Sequence, residues 1–506
     1  MNPLFLWGST GLWALSLVAW LSIGVKRFWS PWFLYLIFHL LSFVIRPWLV
    51  STRGDQDYLH NWIGIPTTWA DHEWALVQAM LALIAMSVGC AYGENRARSQ
   101  PAPCSARMLD PHAALLVGLP LVVFGFVSLF TYGQTPWSAS GANSQVVTSG
   151  SMYTSVSTTP AYVTHSYFLL SGVFLVWILV FGFRWSYAPL VVVFFVLIAY
   201  QEAARTTYVV GVISLVVAHL VRSGRTRPSL RAGLPIALVA LSFVSGKHWL
   251  VDLFSGGRGQ AAAAASTGQN DVLAGNGELF LNYETLVMVT HLVPNYADYT
   301  TFTYYGRTIY QFIPRAIWPG KPSFDYVVAY LSFKVPGIYT QGLTATLPGE
   351  AYVAFGPVGI VLILFAFGFA LSNLFQRSLR YPAGSVESAI GIAVCMACFQ
   401  VYRDGIVSLT IYTLFYAGPA VLVWMTSLLL GTGQRRALDA VGPAEENPPA
   451  PAHQPAKLPS RQPLVGTRPT VRGIHARRRM LTTGPETAAR TPSRPSPITS
   501  STYSSS

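Results

Sequence analysis

Residues 348–374 read PGEAYVAFGPVGIVLILFAFGFALSNL, and from Gly356 to Leu374 the run carries no charged side chain. A bilayer span needs about 20 mostly apolar residues, because backbone amides and carbonyls find no water in hydrocarbon and must bond within the helix. Pro348 and Glu350 stand at its start, where a helix accepts proline and its dipole stabilises negative charge. Outward from this run the same pattern recurs near residues 4–24, 31–50, 74–92, 113–132, 162–183, 187–204, 206–222, 233–251, 385–402 and 406–430. The sequence therefore predicts an all-α polytopic membrane protein of about eleven spans. Composition agrees: 52% of residues are hydrophobic and 10% charged, against about 25% charged in soluble domains.

Lys26 and Arg27 follow the first apolar run, and no basic segment precedes it, which predicts a retained helix with its N-terminus outside. With that entry the short cytoplasmic loops hold twelve basic and three acidic residues, the outer side ten and thirteen, and the tail from residue 431 eleven and four. Membrane topology thus accounts for the net charge of +13, and nucleic acid is not an expected partner. Four regions are expected: a membrane bundle over 1–251 with about eight spans, an extracytoplasmic loop over 252–347, about three further spans over 348–430, and a basic cytoplasmic tail over 431–506. Proline, alanine, serine and threonine dominate the tail, which predicts disorder. Cys90 and Cys104 are placed at or in a cytoplasmic loop, and Cys395 and Cys398 within a span, where C-x-x-C reads as small-residue packing.

The loop over 252–347 is too long to be a plain connection. Glu278 to Val293 predicts a partly apolar helix, with Leu279, Tyr283, Leu286, Val287, Thr290 and Leu292 near one face, ended by Pro294. Beyond it, Tyr304, Tyr305, Arg307 and Tyr310 precede Ile313-Pro-Arg-Ala-Ile-Trp-Pro-Gly-Lys-Pro322. Prolines stiffen this segment and display Arg315 and Lys321. A guanidinium grips phosphate oxygens in bidentate fashion and stays charged. Arg205 and Arg403 are predicted at the same face of the membrane, where a charge suggests function. Each arginine taken singly also reads as an interfacial anchor, and Arg403 as a partner of Asp404.

The stretches Asn282-Tyr-Glu-Thr-Leu286, Pro294, Tyr305-Gly306, Ile313 to Pro322 and Pro348 to Gly359 resemble, in order, bacterial oligosaccharide repeat unit polymerases of the Wzy (O-antigen polymerase) type. The resemblance covers roughly residues 278–375. Arg205-Thr206-Thr207 resembles more loosely the Ser-Arg-Gly element of O-antigen polymerases and ligases. The resemblance implies a GT-C-like glycosyltransferase at the outer face of the bacterial inner (plasma) membrane. It would join undecaprenyl-diphosphate-linked oligosaccharides into O-antigen, capsule or exopolysaccharide, with membrane lipids, a chain-length regulator and a flippase as partners. A ligase-type transferase and a lipid-linked oligosaccharide flippase are the alternatives; the sequence shows no internal repeat or interrupted helix of the transporter kind.

Lipid diphosphate is already a competent leaving group, so the chemistry needs cations on the developing charge and a group to take the proton of the attacking hydroxyl. Neither a metal nor another cofactor is expected. Arg315, Arg403, Arg205, Lys321 and Arg307 are the candidate diphosphate ligands. Glu350, Glu284 and His291 are the candidate proton acceptors, with Asp298 also on the outer side. Tyr304, Tyr305, Tyr310 and Trp318 could stack on sugar faces or anchor the loop at the interface.

Overall fold

The computed structural model describes residues 1–24, 29–53, 65–101, 105–132, 166–200, 205–225, 281–301, 305–306, 313, 317–318, 327–335 and 344–431. Among these the chain is helical, with one isolated bridge between Met108 and Ser385. In chain order the helices are α1 (Pro3–Ile23), α2 (Pro31–His39), a π-helical segment (Leu40–Ile45), α3 (Arg46–Arg53), α4 (Trp69–Ser99), α5 (Pro111–Tyr132), α6 (Leu169–Phe181), α7 (Ala188–Tyr200), α8 (Arg205–Arg222), α9 (Leu281–Leu292), α10 (Val327–Lys334), α11 (Leu347–Ser378), α12 (Val386–Asp404) and α13 (Ile406–Leu429).

The starts are written locally. Asn2, Ser30, Thr68, Thr346 and Ser385 each cap the following helix through a side-chain oxygen, and Pro3, Pro31 and Pro348 occupy first-turn positions that need no N–H. Thr68 and Asp71 form a reciprocal capping box on α4. Among the described residues, seven stretches are long and apolar enough to cross a membrane: Pro3–Ile23, Pro31–Thr52, Trp69–Ser99, Pro111–Thr131, Leu347–Ser378, Val386–Asp404 and Tyr412–Leu429. Ser166–Phe181 and Val210–Arg222 are apolar but shorter, and the span expected at 233–251 lies outside the described residues, as does the tail over 432–506.

α4 and α11 form the axis of the bundle. They approach at backbone distance, because a Cβ on Gly89 or Gly93 would overlap the carbonyl oxygens of Phe365 and Phe369. Cys90 lies buried in this contact within α4, rather than in a loop, and Cys395 and Cys398 are buried in α12.

α11 is not one straight rod. Phe355 and Gly356 leave helical geometry, with Gly356 at φ +64°, and Pro357 restarts the helix. An interruption therefore exists where the sequence suggested none. From Gly356 to Ser378 the helix rises about 33 Å at 1.5 Å per residue, a full hydrocarbon thickness. Its short first part, Leu347–Ala354, is buried throughout.

Candidate functional site

α9 is described from Leu281 to Leu292, and the expected start at Glu278 lies outside the described residues. Tyr283, Leu286, Val287, Thr290 and Leu292 are buried as expected, but so are Asn282, Glu284 and Thr285. The helix is therefore enclosed, not laid on a surface. Gly349 packs against it, with Leu286 and Val289 of α9 at ordinary van der Waals distance from the position of a Cβ.

A buried charge pair holds α9 in place. Arg46 Nε donates to Glu284 Oε1 at 2.5 Å, with side chains 0% and 1% exposed. Asn282 Nδ2 donates to Ser42 Oγ, and its Oδ1 accepts from Thr344 Oγ1, both at 3.3 Å. Arg46 follows directly on the π-helical segment, a local widening common at functional sites. Removing such a charge from water costs several kcal/mol, so each partner depends on the other. At the far end of α9, His291 Nδ1 lies 3.0 Å from Asp71 Oδ1. Next to Glu284 on α9, Tyr283 donates its hydroxyl proton to the His72 carbonyl at 3.1 Å, and burial pushes this phenol well above its ordinary range. Glu284 and His291, both read as proton acceptors in the sequence, are thus bound into pairs that fasten α9 to α3 and α4.

Glu350 is placed differently. It is fully buried in the first turn of α11, where Oε2 accepts the Ile406 N–H at 2.5 Å and Oε1 has no hydrogen-bond partner among the described residues. Ile406 is the first residue of α13, so the Glu350 carboxyl group stands on that helix's N-terminus, where backbone N–H groups lack intrahelical partners. Gly405 makes room, at φ +91° and with no space for a Cβ, which would overlap Glu350 Oε2. Arg403, just before this turn, places Nε 3.6 Å from Asp404 Oδ1, and Gln400 Nε2 donates to Asp404 Oδ2. Tyr305 is half-buried beside Glu350: burial, and then the carboxylate charge, push its phenol up.

α8 runs alongside α6, with Gly211 against Ser171 and His219 against Phe183. Phe168 in turn stacks on Tyr412 near the start of α13. Arg205, the first residue of α8, therefore begins at the same end of the bundle as Arg403, Glu350 and α9. Arg205's side chain and residues Arg307, Arg315, Lys321, Tyr304 and Tyr310 lie outside what the structure describes. Trp318 is 40% exposed.

Sequence reading passed over Arg46, although a lone arginine inside the apolar run 31–50 is itself a signal. It also passed over Asp71 and His72. Asp55-Gln56-Asp57 places two carboxylates at D-x-D spacing in the segment between α3 and α4, outside the described residues. The expectation of a metal-free reaction therefore rests on the leaving group alone. Among the described residues no group of three His, Cys, Asp or Glu is arranged to hold a metal ion.

A family model described as a domain of unknown function (DUF8712) matches residues 279–428. The match runs from the start of α9 almost to the end of α13, and so contains Glu284, His291, Glu350 and Arg403 but neither Arg46 nor Asp71. No curated protein and no solved structure matches the chain. In that central and C-terminal segment, the chain is similar to DUF8712.

Proposed function

We propose that this membrane protein is a polymerase that joins lipid-diphosphate-linked oligosaccharide repeat units into a surface polysaccharide. The observation that carries the reading is Glu350: a buried carboxylate with one oxygen anchored on the α13 N-terminus and the other without a partner among the described residues. A general base needs a fixed orientation and an open lone pair, and this carboxylate has both. Arg403 and Arg205 begin at the same end of the bundle, and Arg315 follows Tyr305 by ten residues. In this reading they bind the diphosphate and take up the charge that develops as it leaves. Glu350 receives the proton of the attacking sugar hydroxyl. Glu284 and His291 position α9 beneath it, and the loop aromatics bracket the glycan. The site faces outward, and the eleven-span GT-C-like count belongs to the same proposal.

The test is reconstitution of the full chain with a polyprenyl-diphosphate-linked oligosaccharide, once in EDTA and once with Mg²⁺ or Mn²⁺, with product length read on a gel. A ladder of carrier-linked products in both is expected. A ladder only with metal would move Asp55 and Asp57 into the chemistry. Single-unit glycan alone, with intact protein, would overturn the polymerase reading, and transfer to an added non-carrier acceptor would replace it with a ligase.

A further inference from the structure

At the opposite end of α11 from Glu350, a groove of about 390 Å³ opens between α11 and α12. Its floor is apolar, formed by Ala370, Leu374 and Ile390, and Leu374 is 37% exposed on the outside of the bundle. Arg377, Tyr381 and Asn373 rim its end. The Arg377 guanidinium is exposed at this rim and makes no hydrogen bond or ion pair among the described residues, and the buried Asn373 side-chain oxygen has no hydrogen-bond partner there either. Glu387 also lines the groove, but it is already engaged: Arg107 Nε lies 3.6 Å from Oε1 and the Arg107 N–H donates to Oε2 at 3.3 Å. The rim therefore keeps one uncompensated positive charge above an apolar slot that opens toward lipid.

We infer that this groove binds one anionic phospholipid from the surrounding bilayer, its phosphodiester on Arg377 and Tyr381 and its acyl chain along Ala370, Leu374 and Ile390. Basic pockets between spans recognise phosphate head groups in this way. Net charge selects the class. A singly anionic head group neutralises the rim, whereas a zwitterionic one leaves the positive charge standing. Head-group hydroxyls would supply the donor that the Asn373 oxygen lacks.

The experiment is native mass spectrometry of the full chain after exchange into mixed vesicles of phosphatidylglycerol and phosphatidylcholine. Wild type is expected to retain one phosphatidylglycerol. Arg377→Gln should lower that occupancy about fivefold, the effect of losing one interfacial cation. Arg377→Lys should keep most of it. Arg184→Gln removes a different basic residue, stacked on Phe181, and should change nothing. Inorganic phosphate at millimolar concentration should not displace the lipid. Equal retention by wild type and Arg377→Gln, equal retention of both lipids, or displacement by free phosphate would each overturn the inference. None of these readouts depends on polymerase activity.

Discussion

Replacing Gly405 by alanine tests the turn that seats Glu350. The residue sits at φ +91°, where an L side chain costs about 1–2 kcal/mol. The new Cβ would overlap Glu350 Oε2, so the carboxylate has to leave the Ile406 amide. Loss of a hydrogen bond to a charged group costs about 1.5–3 kcal/mol. Together the two effects destabilise by about 3–5 kcal/mol. At roughly 2–4 °C per kcal/mol for a sizeable folded unit, the melting temperature should fall by about 6–20 °C. Tryptophan fluorescence of the full chain during heating in detergent reads this directly, since the chain has 15 tryptophans. Gly418→Ala is the control: nothing lies within 4 Å of a Cβ there, and alanine is favoured over glycine in a helix by about 1 kcal/mol. The decisive comparison is Gly405→Ala in a Glu350→Ala background. With the carboxylate gone, only the backbone cost of about 1–2 kcal/mol should remain. An equal penalty in both backgrounds, or a melting temperature within 2 °C of wild type for the single variant, would refute the claim that Gly405 exists to admit Glu350.

Glu350→Gln keeps an acceptor for the Ile406 amide, so stability should change little while polymer formation falls by about 10²–10⁴-fold, the contribution of a general base; turnover within threefold of wild type would remove Glu350 from the chemistry. Arg46→Met alone should destabilise by about 3–5 kcal/mol by stranding Glu284, and Arg46→Met with Glu284→Leu should recover most of the loss. Thermal unfolding of the two variants decides, and equal instability would show that the pair is not mutually compensating. Gly93→Leu should separate α4 from α11 and cost at least about 1–3 kcal/mol, seen as early unfolding and loss of monodisperse protein. Gly11→Leu, at a position with nothing within 4 Å, should be tolerated; unchanged melting of Gly93→Leu would argue against a backbone-close contact.

The helical membrane architecture was legible because its cause is local. Apolar runs, Asn, Ser or Thr caps and first-turn prolines act within one segment, and α1, α2, α4, α11 and α12 begin on such caps. The break in α11 had a local signal too, Gly356-Pro357, but a charge-free run hid it. Gly89 and Gly93, spaced four apart, likewise marked the close contact with α11. The ends of the candidate site were legible in the same sense: Glu350 was placed in a first turn and Arg403 beside Asp404, and both are found there.

What stayed illegible is the pairing of charges across the bundle. Periodicity on α9 records which of its residues are apolar, and it suggested a helix with one buried face. The other face is buried as well because Arg46, 238 residues earlier, supplies the countercharge that makes an enclosed Glu284 tolerable. The same holds for His291 with Asp71, 220 residues away. A carboxylate or imidazole in a loop therefore reads as a free proton acceptor until the helix that neutralises it is known. Glu350 is the instructive contrast. Its partner among the described residues is a backbone amide at a helix start, which orients the carboxylate without neutralising it by a full charge. Of the three acceptors the sequence offered, Glu284 and His291 face charged side chains across the bundle whereas Glu350 meets a backbone amide, and on that difference the proposed chemistry is placed on Glu350.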